Sequence, residues 1–179
     1  NKTFPSIKYG IKIPQSEFLE LNNYHAFGIF EKIIKRKRIL IRVHGSKKIG
    51  LGHVYNMLTV LNHLRNEDLL IVMYKKSSLG STKFKENLYK IKYFTTQSQL
   101  LKIISKFKPN IIFNDILDTS PDYMKKLKKF NSLLVNFEDL GEGRKYADLI
   151  FNPIFNTASK NFKILTSSHK KLKNEFFGS

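Results

Sequence analysis

An apolar run, a glycine-containing loop and an amphipathic stretch follow one another between residues 39 and 65. The run at residues 39–43 is apolar except for Arg42, as is typical of a strand that is covered on both faces. The loop then places His53 directly after Gly50, Leu51 and Gly52. Glycine lets the backbone approach a bound group closely, and the first N–H groups of a helix attract phosphate. This order predicts a strand-to-helix turn of the kind at which α/β folds bind ligands.

Short apolar runs alternate with helix-like stretches along the rest of the chain. The predicted strands are residues 39–43, 69–73, 91–94, 111–113, 133–137 and 149–151. Apolar residues recur at helical spacing in 54–64 and 98–107, and Ser120-Pro121 has the residues of a capped helix start. The alternation predicts an α/β fold with a Rossmann-like, mostly parallel, doubly wound sheet.

The segment before residue 38 differs from the rest. Pro5, Gly10 and Pro14 separate short extended pieces, and residues 24–34 are predicted to form a short helix. We expect residues 1–37 to be a linker or the tail of a preceding domain, and residues 38–160 to form the Rossmann-like domain. Residues 161–179 are then the start of a connection to a second half outside this chain.

The composition excludes several classes of protein. The chain has no cysteine, which excludes disulfides and thiolate metal sites. No apolar run approaches the ~20 residues that a membrane span requires, and we expect a cytoplasmic protein. The net charge of +18 would suit a nucleic-acid surface. The basic residues are scattered and mostly alternate with apolar positions, so we interpret them as solvated helix faces and expect no nucleic-acid partner.

Polar residues follow several of the predicted strands. His53 follows the first strand through its loop, and Asp115 and Asp139 each come just after a later strand. The carboxyl ends of parallel strands lie at one edge of a sheet, so the sequence predicts that these side chains converge on a ligand cleft. Histidine suits proton transfer near neutral pH. The alternatives are a histidine that caps its helix and acids that form caps or turns. His44 could reach the same cleft or serve in packing.

The histidines give no sign of a metal site. No two of them have metal-ligand spacing with a nearby acid, so we expect neither a metal nor another cofactor.

Two blocks of the sequence are similar to a known family. They are Arg-Val-His-Gly-Ser at 42–46 with Ile-Gly-Leu-Gly-His-Val at 49–54, and Val-Asn-Phe-Glu-Asp-Leu-Gly-Glu-Gly at 135–143 with Tyr-Ala-Asp-Leu-Ile at 146–150. These blocks resemble the SpsG-like UDP-sugar hydrolases of pseudaminic and legionaminic acid synthesis, relatives of the GT-B glycosyltransferases. Residues 172–176 resemble a weaker third block. Residues 19–25 resemble the end of an acylneuraminate cytidylyltransferase, a module whose fusion to the hydrolase fits one pathway.

The resemblance implies one half of a GT-B-type two-domain enzyme, and therefore an incomplete enzyme. Such enzymes hydrolyse a UDP-linked diacetamido-trideoxyhexose and release UDP, and the resemblance gives His53 the role of activating or positioning water. The candidate substrate-binding residues are Gly50, Leu51, Gly52, Arg42, Asn56, Asp115 and Asp139.

Two positions depart from the family pattern. The family usually has Asp where this chain has His44, and commonly Arg where it has Asn56. These departures favour one alternative, a non-catalytic nucleotide-sugar-binding domain. The other alternative is a GT-B-type glycosyltransferase that uses the same loop on a different acceptor.

Overall fold

The computed structural model describes residues 24–48, 50–152 and 174–177. The chain divides into two compact units, residues 1–36 and residues 37–179. The described part of the first unit is residues 24–36. It contains helix α1 (Tyr24–Ile34), which has the bounds predicted from the sequence. Lys35 and Glu31 form an exposed ion pair there, one helical turn apart. Most of the segment that resembles a cytidylyltransferase lies outside the described residues.

The second unit contains a seven-stranded sheet in which all neighbouring strands are parallel. The strands are β1 (Arg38–Val43), β2 (Asp68–Tyr74), β3 (Ile91–Phe94), β4 (Ile111–Asp115), β5 (Leu133–Phe137), β6 (Leu149–Asn152) and β7 (Glu175–Phe177). Their order is β3-β2-β1-β4-β5-β6-β7, so the direction of winding reverses between β1 and β4. The predicted Rossmann-like doubly wound sheet is confirmed. Strand β7 was not predicted and lies within the segment interpreted as a connection.

Four α-helices accompany the described strands of this unit. They are α2 (Gly52–His63), α3 (Ser81–Glu86), α4 (Gln97–Phe107) and α5 (Pro121–Lys128), with short 3₁₀ turns at Lys75–Ser77 and Glu142–Tyr146. The Thr96 side chain caps α4, and the Ser120 side chain caps α5 by accepting from the Tyr123 amide. Ser120 and Pro121 therefore have the roles predicted for them.

Two apolar clusters cover the two faces of the sheet. Ile39, Ile41 and Val43 pack with α2 and α3, whereas Leu40 packs with α4 and α5. Because successive strand residues face opposite sides, the same alternation divides the polar ends of the strands. In β4, Asn114 therefore lies on the α5 face and Asp115 on the α2 face.

Gly45, two residues after the end of β1, makes a close backbone contact. Its amide donates to the Ser77 carbonyl at 3.1 Å and its carbonyl accepts from the Leu79 amide at 2.9 Å. A Cβ at this position would lie 2.1 Å from the Leu79 carbonyl oxygen.

We therefore expect Gly45→Ala to lower the free energy of unfolding by about 2 kcal/mol, because backbone must move to admit the methyl group. Chemical denaturation followed by circular dichroism measures this loss. The control is Gly52→Ala at the start of α2, where a Cβ would meet none of the described atoms within 4 Å. Equal stabilities of the two variants would contradict the prediction.

Candidate active site

His53 lies in the first turn of α2 and makes a short contact with the end of β4. Its side chain is buried, and its Nδ1 lies 2.6 Å from Oδ1 of Asp115. Oε2 of Glu138, the residue after β5, lies 3.6 Å from the same nitrogen. One turn further along α2, the Asn56 amide donates to Oε1 of Glu138 at 3.0 Å. The helix start and two strand ends thus bring together a histidine, two carboxyl groups and an amide.

The glycine loop presents His53 without using it as a cap. Gly50 has a φ of +83°, in the left-handed region, and its amide donates to the Ser46 carbonyl at 2.7 Å. The N-cap residue is Leu51, with no side-chain cap hydrogen bond. A Cβ at Gly50 or Gly52 would meet none of the described atoms within 4 Å. His53 is therefore free of a capping role, and the loop leaves open space in front of the helix.

Glu138 has a backbone conformation that decides which acid faces His53. Its φ is +53°, uncommon for a residue other than glycine, and its amide donates to the Phe151 carbonyl at 2.8 Å. Phe137 lies on the α2 face, so a regular strand would send residue 138 to the α5 face and residue 139 to the α2 face. The left-handed turn breaks this alternation. Glu138 consequently joins His53, and Asp139 does not.

Asp139 lies on the other face and joins two loops. Its carboxylate accepts hydrogen bonds from the Thr119 amide at 3.0 Å, from the Gly141 amide at 2.9 Å, and from the side chains of Thr119 and Asn136. Asn136 in turn accepts from Asn114 at 2.9 Å. The sequence prediction placed Asp139 with the sugar, but in the structure its oxygens hold the loops after β4 and β5, as expected of a turn-forming acid.

The carboxyl groups raise the pKa of His53 against the opposing effect of burial. The hydrogen bond to Asp115 raises the pKa of His53, burial opposes this, and the charges of Asp115 and Glu138 add to it. Burial raises the pKa of Asp115, and the contact with His53 partly offsets that effect. Within the described residues, Oδ2 of Asp115 is buried without a hydrogen-bond partner. With Nδ1 bound to Asp115, Nε2 is the nitrogen that can accept a proton from a substrate or water.

A cleft of about 410 Å³ opens at the same strand edge, on the face of α4 and α5. Arg42 lines it, with its guanidinium 4.3 Å above the ring of Tyr123 and 5.6 Å from that of Phe94. His44 also lines this cleft, which lies on the opposite face of the sheet from His53. Burial lowers the pKa of His44, and the charges of Arg42 and His53 lower it further.

The structure thus brings together His53, Asp115, Asn56 and the glycine loop, and separates Arg42 and Asp139 from them by the sheet. Sequence reasoning missed Glu138, although the adjacent acids after β5 were a signal for it. His63 is exposed on α2, and His169 lies outside the described residues.

The described ranges contain neither a metal-binding cluster nor a membrane-spanning helix. No group of three or more His, Asp or Glu side chains in them could hold a metal ion. No helix in them is long and apolar enough to cross a bilayer.

Comparisons with known proteins support the fold assignment. No protein-family model matches the chain. Over 138 residues, or 75% of this chain, it is 30% identical to an uncharacterized protein of Methanocaldococcus jannaschii. The crystal structure of Acinetobacter baumannii MurG matches 79% of the chain with a TM-score of 0.57 and 8% identity.

The structural match to MurG supports the fold class. MurG is a GT-B glycosyltransferase, and the chain shares the Rossmann-like fold of part of it. The chain spans 28% of the length of the archaeal protein and 45% of MurG.

Proposed function

We propose that this chain is the N-terminal Rossmann-like half of a GT-B-type enzyme that hydrolyses a nucleotide-linked sugar. The substrate is a UDP-linked diacetamido-trideoxyhexose, and the products are UDP and the free sugar, in the cytoplasmic synthesis of nonulosonic acids of the pseudaminic or legionaminic type. The observation that carries this proposal is the buried His53–Asp115 pair, 2.6 Å apart, in a Gly-Leu-Gly-His turn at the carboxyl edge of the sheet.

In the proposed reaction His53 acts as a general base. Asp115 accepts the Nδ1–H hydrogen bond and orients the ring, and Nε2 takes a proton from water. The water oxygen bonds to the anomeric carbon while the bond from that carbon to the diphosphate oxygen breaks, and the electron pair leaves with UDP. The diphosphate is a stable leaving group, so one base suffices. The negative charges of Asp115 and Glu138 stabilise the imidazolium that forms.

The remaining parts of the proposed enzyme lie outside this chain. A second Rossmann-like half holds most of the nucleotide, in agreement with the chain's coverage of less than half of MurG. In the same proposal residues 1–37 are a linker or the tail of a preceding cytidylyltransferase-like domain, because the two modules would act in one pathway.

The direct test is release of UDP by the protein encoded by the full reading frame that contains this chain. The assay uses a UDP-linked diacetamido-trideoxyhexose in buffer without an acceptor, with UDP-N-acetylglucosamine as the control substrate. We expect UDP release that is faster with the diacetamido sugar. Absence of release by a folded full-length protein would contradict the proposal.

A GT-B-type glycosyltransferase is the second candidate, and the fold likeness to MurG favours it. In that case His53 would remove a proton from an acceptor hydroxyl instead of from water. Product analysis separates the two: a transferase forms a new glycoside and requires its acceptor, whereas the hydrolase forms free sugar without one.

The pH dependence of the reaction follows from the pKa of His53. Asp115 raises this pKa above its usual value of about 6.5. A general base must be neutral, so we expect kcat/KM to fall as the pH decreases through a value above 6.5.

We expect Asp115→Asn to move this acid limb to lower pH and to lower the rate, because the carboxylate no longer stabilises the imidazolium. The control is Asp122→Asn, an exposed acid paired with Lys126 on α5. An acid limb that is identical in wild type and Asp115→Asn would contradict the assignment of His53 as the base.

A further inference from the structure

Arg42 is a partly buried cation whose identified partners are neutral. Its guanidinium lies over the rings of Tyr123 and Phe94. No Asp or Glu oxygen of the described residues lies within ion-pair distance of it. Arg38, at the other end of β1, also stacks on a ring, 5.3 Å above Phe107, but has Asp68 at 3.7 Å. The same strand thus carries one arginine with a counter-ion and one without.

The surroundings of Arg42 form a cleft of ligand size. Its volume of about 410 Å³ lies in the range of small-molecule sites. Tyr74, Phe94 and Tyr123 supply aromatic walls, and the capping residues of α4 and α5 also line the cleft. Both helix N-termini add partial positive charge to that of Arg42. The acid in the lining is Asp118, which is exposed to solvent and therefore screened.

We propose that this cleft is a subsite for an anionic oxygen group of the ligand, a phosphate or a carboxylate, which Arg42 binds through two N–H groups. A guanidinium with its face on an aromatic ring keeps its edge available, and that edge matches the oxygens of a carboxylate or phosphate. The aromatic walls of the cleft cover the ring of the ligand that carries the anionic group. This inference rests on the proposed function. The cleft and His53 lie at the same edge of the sheet, on its two opposite faces, and His44 lines the cleft.

Two sources can supply this group: the diphosphate of the nucleotide sugar, or an acidic substituent on the sugar. Titration calorimetry of the full-length protein with UDP, with glucuronic acid and with inorganic phosphate separates them. Binding of UDP and phosphate that depends on Arg42 identifies the diphosphate, and binding of glucuronic acid that depends on Arg42 identifies an acidic sugar.

We expect Arg42→Met to weaken the binding of the recognised anion at least about tenfold, as for loss of a charge-assisted hydrogen bond. Arg38→Met is the matched control and leaves binding unchanged. Arg42→Lys retains the charge without the paired N–H groups and gives a smaller loss, which keeps the test decisive if Arg42→Met fails to fold. Wild-type affinity in both Arg42 variants, or no binding of any of these anions to the wild type, would overturn the proposal.

The failure of this inference is distinguishable from the failure of the proposed function. Anion binding that depends on Arg42, without turnover of any nucleotide sugar, would support the anion subsite and contradict the proposed hydrolase activity. UDP release that depends on His53, with anion binding unchanged in the Arg42 variants, would support the proposed hydrolase activity and contradict the anion subsite.

Discussion

Replacing His53 with alanine is expected to slow UDP release by the full-length protein by about 10²- to 10⁴-fold, the usual contribution of a general base. The imidazole is hydrogen-bonded to Asp115 and lies beside Glu138. No other histidine side chain of the described residues forms an ion pair with these two carboxyl groups. His44 does not replace it, because its pKa is lowered and it lies toward the other face. Steady-state kinetics on the purified wild type and variant measure the effect.

Two further variants make this test specific. His63→Ala removes an exposed histidine from the same helix and is expected to keep wild-type activity. His53→Asn keeps an amide that can donate to Asp115 but cannot accept the proton, so we expect a folded and inactive protein. Near-normal turnover by either His53 variant would contradict the role of His53.

Replacing Asp139 with alanine is expected to lower the free energy of unfolding by about 4 kcal/mol. The carboxylate is fully buried and accepts hydrogen bonds from two backbone amides and two side chains. Alanine would leave these donors without a partner in the interior, each at a cost of about 1–3 kcal/mol, and water can relieve part of that cost.

Urea unfolding followed by circular dichroism measures the loss. Glu142→Ala is the matched control, since this nearby acid is exposed and forms only a 3.5 Å surface pair with Lys145. We expect that control to change stability by less than about 0.5 kcal/mol. Equal stabilities of the Asp139 and Glu142 variants would contradict the structural role of Asp139.

The sheet could be predicted from the sequence because most of its strands are covered on both faces and therefore appear in the sequence as short apolar runs. Residues 91–94 and 133–137 form strands with the predicted bounds. The strand predicted at 111–113 continues to Asp115, since Asn114 and Asp115 pair with β1 and β5 while their side chains find buried polar partners. Helix α3 escaped prediction because Phe84 is its only buried residue, which leaves no helical period to detect.

The site was predictable only as far as strand ends determine it. The meeting of His53 with Asp115 follows from the convergence of parallel strands at one edge. The choice between Glu138 and Asp139 depends on a left-handed φ at a residue other than glycine, which composition and periodicity do not encode. The prediction that Asp139 lies in the site assumed that the regular alternation of the strand continues to residue 139, and the left-handed conformation of Glu138 breaks that alternation.

The most direct test of the account follows the oxygen atom of the water that His53 activates. The full-length protein is incubated with the UDP-linked diacetamido-trideoxyhexose in water enriched in oxygen-18, and the released UDP is analysed by mass spectrometry. Attack at the anomeric carbon leaves the bridging oxygen on the nucleotide, so we predict unlabelled UDP, released at a rate that depends on His53. Oxygen-18 in the terminal phosphate of UDP would show attack at phosphorus and would contradict the account.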